Sequence, residues 1–196
     1  MDFPSRSDEL PQFAAKQQVE RQVLDSCAQV SVIRAPFLLS NLLLPWARQS
    51  VALSDVLAYP VAGDVALCWA APEDIGHLAS VVIGTRFYGH TVRAGAKDAI
   101  RGDELPTAFS KALNRTIRYE PLPLDVFEEG VDEAIGPGVG KQVGAIFRFI
   151  DRYADDRSFV SGSFTAPPGF PRFEPMSVVD WVAAHAHAFS QPGSSV

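Results

Sequence analysis

The residues best placed to do chemistry lie in Val30–Trp46, VSVIRAPFLLSNLLLPW. Gln29 to Arg34 reads as a buried strand that runs into Ala35-Pro36. There the proline ring fixes its own φ and steers the preceding residue away from helix. In open α/β sheets, ligands lie just past the carboxyl ends of the strands. In such a sheet, Pro36, Phe37, Leu38 and Asn41 form the lip of a pocket, with Trp46 beyond them. Asn41 can orient a ligand through its amide or cap the helix that follows, and both readings stay open. Arg34 ends a buried strand and so requires a partner. A salt bridge at the sheet edge is preferred over substrate contact. The aromatic residues Phe37, Trp46, Trp69, Phe147 and Phe149 suit either an apolar pocket wall or core packing.

Other reactive types give less. His185 and His187 are two residues apart and point to different sides of a helix, so they do not share a metal. His185, four residues from both Trp181 and Phe189, reads as a core histidine, and His77 has no ligand partner. Asp74 follows Pro72 and Glu73 at a helix start, where negative charge offsets the helix dipole. Cys27 and Cys68 show no metal-ligand spacing and read as buried free thiols rather than a disulfide. GPGVGK, Gly136 to Lys141, is preceded by a weak helix rather than a strand. It therefore lacks the context of a dinucleotide turn or a P-loop. No Ser/His/Asp or Cys/His set and no metal site emerges.

The chain has 196 residues, a net charge of −6 and 47% hydrophobic residues. That fits one soluble globular domain with a sizeable core. The absence of a basic cluster argues against a nucleic-acid partner. There is no signal-peptide core and no run near the ~20 apolar residues of a membrane helix, so a cytoplasmic location is expected.

The elements that must position these groups alternate. Residues 1–12 read as an N-terminal loop, 13–156 as a sheet-and-helix core, 157–176 as a proline-rich irregular segment, 177–189 as a closing helix and 190–196 as a frayed tail. Phe13 to Cys27 is a helix with an apolar stripe of Val19, Val23, Leu24 and Cys27. The Gln29–Arg34 strand is apolar throughout, as in a parallel sheet covered on both faces. A helix over Leu42–Ser54 is followed by strands at Leu57–Val61 and Val65–Ala70. Pro72 to Thr85 is the clearest helix, with Ile75, Leu78, Ala79 and Val82 on its apolar side. His90–Ala94 and Thr116–Glu120 read as strands. Between them Asp103 can cap a helix that Asn114 stops in a left-handed conformation. Asp125–Ile135 and the stretch carrying Val139, Val143, Ile146, Phe147 and Ile150 are further helices. Ser177 with Asp180 resembles a capping pair for Val178–Phe189.

In order and spacing, four patches resemble the NmrA-like branch of atypical short-chain dehydrogenases, including its quinone-reductase-like members. They are FAAKQQVERQVLDS, VSVIRAPFLLSNLL, WAAPEDIGHLASVVI and MSVVDWVAAHAHAF. The resemblance spans most of the chain and corresponds to the family's second half. It implies an α/β fold, a small, mainly parallel sheet flanked by helices. It also implies NAD(P)H as cofactor, although the family's Gly-rich phosphate-binding turn has no counterpart here. Lys16 falls where the family's active-site lysine falls and would hold a ribose hydroxyl or polarise a substrate oxygen. The alternative is a surface lysine beside Glu20.

The expected function is an NmrA-like, NAD(P)H-dependent oxidoreductase that works only with a partner supplying the nucleotide-binding half. A non-catalytic small-molecule-binding or regulatory module is the first alternative. A cofactor-independent lyase, isomerase or cyclase is the second. The expected ligand is a small apolar or aromatic molecule. Half of such a sheet leaves the Val30–Arg34 strand as an open edge, so a second copy or a separate chain is expected to cover it.

Overall fold

The computed structural model describes residues 2–26, 29–153 and 156–190. In chain order the first elements are α1 (Pro11–Ser26), β1 (Val32–Arg34), β2 (Phe37–Leu38), α2 (Pro45–Ser54) and β3 (Val56–Tyr59). Next come β4 (Ala66–Leu67), β5 (Trp69–Ala70), α3 (Pro72–Thr85), β6 (Thr91–Arg93), β7 (Ile100–Arg101) and α4 (Leu105–Leu113). The last are β8 (Arg118–Pro121), α5 (Leu124–Ile135), α6 (Val139–Arg152), α7 (Ser158–Ser161) and α8 (Val178–Ala184). This is the expected α/β class, with short parallel strand pairs flanked by helices. Two compact units form, one from Met1–Leu38, Leu67–Ala99 and Ala154–Met176, the other from Leu39–Ala66, Ile100–Tyr153 and Ser177–Val196.

In the first unit β1 pairs parallel with β6, with Ile33 opposite Val92 and Arg34 opposite Arg93. β2 pairs parallel with β5, Phe37 opposite Trp69. Ala70, Leu78, Val92 and Ala94 are buried together, with Ile33, Leu38, Ile75 and Phe164 packed around them. The apolar side expected for α3 thus finds its core, and Pro72 sits in its first turn as expected.

Three expectations change here. All three β1 residues are only half-buried, because among the described residues β1 has a strand on one side alone. The single strand expected at Val65–Ala70 breaks at Cys68, whose N–H donates to the Val160 carbonyl at 2.8 Å instead of to a neighbouring strand. The stripe expected to pack α1 faces solvent, with Val19 57%, Val23 40% and Leu24 39% exposed. The buried residue of α1 lies in its first turn. There the buried Phe13 meets Phe159 edge-on at 5.6 Å. Cys27, assigned to that stripe and read as a free thiol, lies outside the described residues. Cys68 is free and buried.

The second unit is built on the parallel pair β3–β8, which runs from Val56 opposite Arg118 to Tyr59 opposite Pro121. Every β3 residue is buried. An aromatic cluster covers it: Tyr59 lies 5.6 Å from Phe147, and Phe127 lies 5.1 Å from Phe147 and 5.3 Å from Trp46. Asn114 ends α4 in the left-handed region, as expected, at φ 51°. The cap of that helix is Glu104, not Asp103, whose carboxylate pairs with Arg101 at 3.3 Å. Ser177 caps α8 by accepting from the Asp180 N–H at 3.1 Å and donating to its carboxylate at 2.6 Å. α8 stops at Ala184 and a 3-10 turn, Ala186–Phe189, follows. His185 marks that break, stacked on Trp181 with ring centroids 4.2 Å apart.

Candidate functional site

A cleft of about 300 Å³ opens in the second unit where β3 and β8 end. That is within the size range of small-molecule sites. Its position past the carboxyl ends of two parallel strands is where an open α/β sheet accepts ligands. Pro60 stops β3, and the Val61 N–H turns back to the Tyr59 carbonyl at 2.8 Å. On the other strand, Pro121 ends β8 and the Leu122 N–H reaches the same carbonyl at 2.9 Å. The loop after Pro60 is tied down at its far end, Asp103 N–H to Gly63 carbonyl at 2.9 Å and Gly102 N–H to Val65 carbonyl at 3.1 Å. Tyr119 fixes its middle by donating to the Val61 carbonyl at 2.6 Å. Burial pushes the Tyr119 phenol well above its ordinary pKa, so it stays a donor.

The walls are Val61, Val65, Leu122, Leu124, Phe147 and Ile150, and the charged groups are Arg148 and Asp151. These two lie one turn apart on α6. The Glu128 carboxylate, nearly buried, pairs with the Arg148 guanidinium. The cleft therefore offers an apolar slot with one oriented cation and one exposed carboxylate at its rim. Such a lining can enclose apolar surface, and the guanidinium can donate to an acceptor placed beside it.

The residues singled out from sequence fall in different places. Lys16 is exposed on α1, its ammonium 5.6 Å from the Phe13 ring centroid. Glu20 bonds Arg34 through both oxygens, at 2.6 and 3.2 Å. The partner required for Arg34 is thus supplied within the first unit. Pro36 and Phe37 are buried there, Phe37 tilted against Trp69 at 5.7 Å, and Leu38 is half-buried. Asn41 belongs to the second unit and hydrogen-bonds the Tyr59 phenol, which burial pushes far above its usual range. The residue preceding α2 is Leu44, with no side-chain cap. Trp46 is also in the second unit and lines a separate groove with Gln49, Glu129 and Glu133. Its indole N–H is buried without a hydrogen-bond partner among the described residues.

The sequence points to a pocket lip at Pro36 and not at Pro60, although in both a proline follows an apolar strand. Arg148 and Asp151 carry a weaker signal, two charges three residues apart on an amphipathic helix that also bears Lys141 and Arg152.

The glycine cluster does not fit a pyrophosphate. Gly136 and Gly138 make the turn between α5 and α6, and the Gly140 N–H donates to the Asp132 carboxylate at 2.6 Å. Asp132 thus already occupies the anion position at the start of α6. That bond, with those from Gly138 and Val139, holds its carboxyl below the usual range. Gly140 is there for closeness: a Cβ on it would lie 2.1 Å from the Glu128 carbonyl oxygen.

Among the described residues no group of His, Cys, Asp and Glu is arranged to hold a metal. None of the described helices is long and apolar enough to cross a membrane.

Short parallel strand pairs, flanking helices and a cleft at the carboxyl ends of strands define a protein of the α/β class. The NmrA-like family matches residues 4–187, and this chain belongs to that family. No curated protein matches it. Among solved structures it is similar to a nucleoside-diphosphate-sugar epimerase from Staphylococcus aureus, at 17% identity and a TM-score of 0.68, covering 92% of this chain and 61% of that one. It is similar to an NADPH-dependent quinone oxidoreductase from Escherichia coli, at 16% identity and TM-score 0.61, covering 89% and 61%. It is also similar to NmrA, a negative transcriptional regulator in complex with NADP, at 19% identity and TM-score 0.53, covering 85% and 51%. These likenesses establish the fold. The chain spans between 51% and 61% of these relatives' lengths.

Proposed function

We propose that this chain is the ligand-binding portion of an NmrA-like oxidoreductase, and that a partner contributes the portion holding NAD(P)H. The cleft at Pro60–Val65 takes a small, flat, apolar molecule with a carbonyl or anionic group turned toward Arg148. The observation that carries the reading is the cleft's place past the ends of β3 and β8 in a member of this family.

Two further features support a partner. Val32 and Arg34 direct their peptide groups to β6, through Val32 N–H to His90 and Ala94 N–H to Arg34, each 2.9 Å. Alternation along a parallel pair then turns the Ile33 peptide groups outward, available to another strand. The exposed Val19, Val23 and Leu24 of α1 add apolar surface of the kind a partner buries.

Calorimetric titration with 1,4-naphthoquinone and with NADPH tests this. The isolated chain should bind the quinone, and Ala62→Trp, which fills the cleft mouth from an exposed position, should abolish that binding. NADPH should bind only once the partner portion is added. NADPH binding by the isolated chain would overturn the division of labour, and quinone binding unaffected by Ala62→Trp would overturn the cleft.

A non-catalytic binding or regulatory role is the second reading, favoured by the exposure of Lys16. Lys16→Ala separates the two in the assembled protein: lost turnover with retained ligand binding marks an enzyme.

A further inference from the structure

In the first unit Arg34 and Arg93 are opposite each other in register, each the last residue of its parallel strand. Register neighbours on adjacent strands lie about 4.8 Å apart and present side chains to the same face. Two guanidinium groups are therefore held side by side at the carboxyl ends of β1 and β6. Like charges so placed repel unless an anion lies between them. Glu20 answers Arg34 from one side. The anion between the pair is Asp2, with Oδ1 3.1 Å from Arg34 Nη1 and Oδ2 against Arg93 Nη2.

The fit resembles that of an occupant in a prepared seat. Phe3 lies 4.8 Å from the Arg34 guanidinium and meets Phe13 edge-on at 6.5 Å. Two residues later Ser5 anchors the segment, its N–H and hydroxyl donating to the Asp156 carboxylate at 3.1 and 2.7 Å. Arg93 is accommodated by Gly162, where an added Cβ would stand 2.5 Å from Nη1. The Arg93 Nε is buried with no hydrogen-bond partner among the described residues. One guanidinium donor is thus shielded from water and unused, in a site already holding one carboxylate across two arginines.

We propose that Arg34 and Arg93 form a binding site for a small-molecule oxyanion, phosphate or carboxylate, and that Asp2 occupies it as a tethered stand-in. The ligand's oxyanion displaces Asp2, spans both guanidinium groups with one oxygen each, and offers a further acceptor to Arg93 Nε. The segment Asp2–Pro4 then acts as a strap that opens when the anion arrives. This site is in the first unit and the cleft is in the second, and the site stands whether or not the chain acts in a redox reaction.

The test is calorimetric titration of the whole chain with inorganic phosphate and, separately, acetate. If Asp2 closes the site in about nine molecules of ten, the open fraction lowers apparent affinity about tenfold. Asp2→Asn should therefore bind one of these anions about tenfold more tightly than the unaltered chain, and the anion that gains identifies the source of the oxyanion. Adding Arg93→Gln should remove the gain. If Arg93→Gln does not fold by circular dichroism, Arg93→Lys keeps the charge but not the fork and should weaken binding of the same anion. No gain in Asp2→Asn for either anion, or a gain that survives the change at Arg93, would overturn the proposal.

Discussion

Gly140→Ala offers a sharp test of how the second unit is assembled, because two effects of opposite sign compete. Glycine within a helix costs roughly 0.5–1 kcal/mol relative to alanine, so the substitution alone should stabilise. Against it stands the approach of α5. The new Cβ would lie 2.1 Å from the Glu128 carbonyl oxygen and 2.8 Å from its Cα. These are backbone atoms, so no rotamer change relieves the contact and the two helices must separate. Overpacking of this kind costs about 1–3 kcal/mol. Separation also strains the Gly140–Asp132 bond and the Glu128–Arg148 pair at the cleft rim. A contact this close with backbone atoms falls at the upper end of that range, so overpacking wins, leaving a net loss of about 2 kcal/mol. For a chain of this size that lowers Tm by roughly 2–4 °C per kcal/mol. Gly76→Ala is the internal control: nothing lies within 4 Å of its added Cβ on α3. It should stabilise by up to about 1 kcal/mol. Urea unfolding of the two variants beside the parent chain measures both. A Gly140→Ala protein as stable as the parent would refute the close helix approach.

Three further outcomes follow from single contacts. Asp74 is 4% exposed, and burial pushes its carboxyl up, only partly offset by the bond from the Met176 N–H at 2.9 Å. An acid held this way binds its proton more tightly when folded, so its contribution is present below the unfolded value of about 3.9 and lost as pH rises through the folded one. Asp74→Asn keeps an acceptor for Met176 and should flatten the fall in urea midpoint across that window; an unchanged slope would contradict the assignment. Tyr119→Phe removes the donor to the Val61 carbonyl. It should cost about 1 kcal/mol in urea unfolding and weaken quinone binding by loosening the cleft loop. The Cys68 thiol is fully buried and pushed up to about 11. Ellman's reagent should label it slowly at neutral pH in the folded chain and promptly in guanidinium, whereas prompt labelling when folded would contradict its burial.

What the sequence made legible was local. Pro72 opens α3, Asn114 stops α4 and Ser177 with Asp180 caps α8, because each depends on backbone geometry within one turn. The α/β class was legible too, since continuous apolar strands alternate with amphipathic helices. Packing partners were not. Val19, Val23 and Leu24 make a good helical stripe, yet periodicity cannot say whether anything covers it. In GPGVGK the sequence shows only a glycine cluster after a weak helix; with α5 placed against it, Gly140 becomes a contact requirement. The meeting of Asp2 with Arg34 and Arg93 joins segments far apart in the chain, and no local pattern announces it. The cleft is intermediate: its Pro60 signal was present, but Arg148 gains meaning only once α6 lies over the ends of β3 and β8.

In the proposed division of labour, small apolar ligands enter where β3 and β8 end, while nicotinamide nucleotide is held elsewhere. Backbone amide NMR of the isolated chain titrated with 1,4-naphthoquinone measures this residue by residue. Saturable shifts are expected at Val61–Val65, Leu122–Leu124 and Phe147–Asp151, with NADPH leaving the same signals in place. Shifts centred on any other part of the chain, or a saturable NADPH response at these residues, would contradict it.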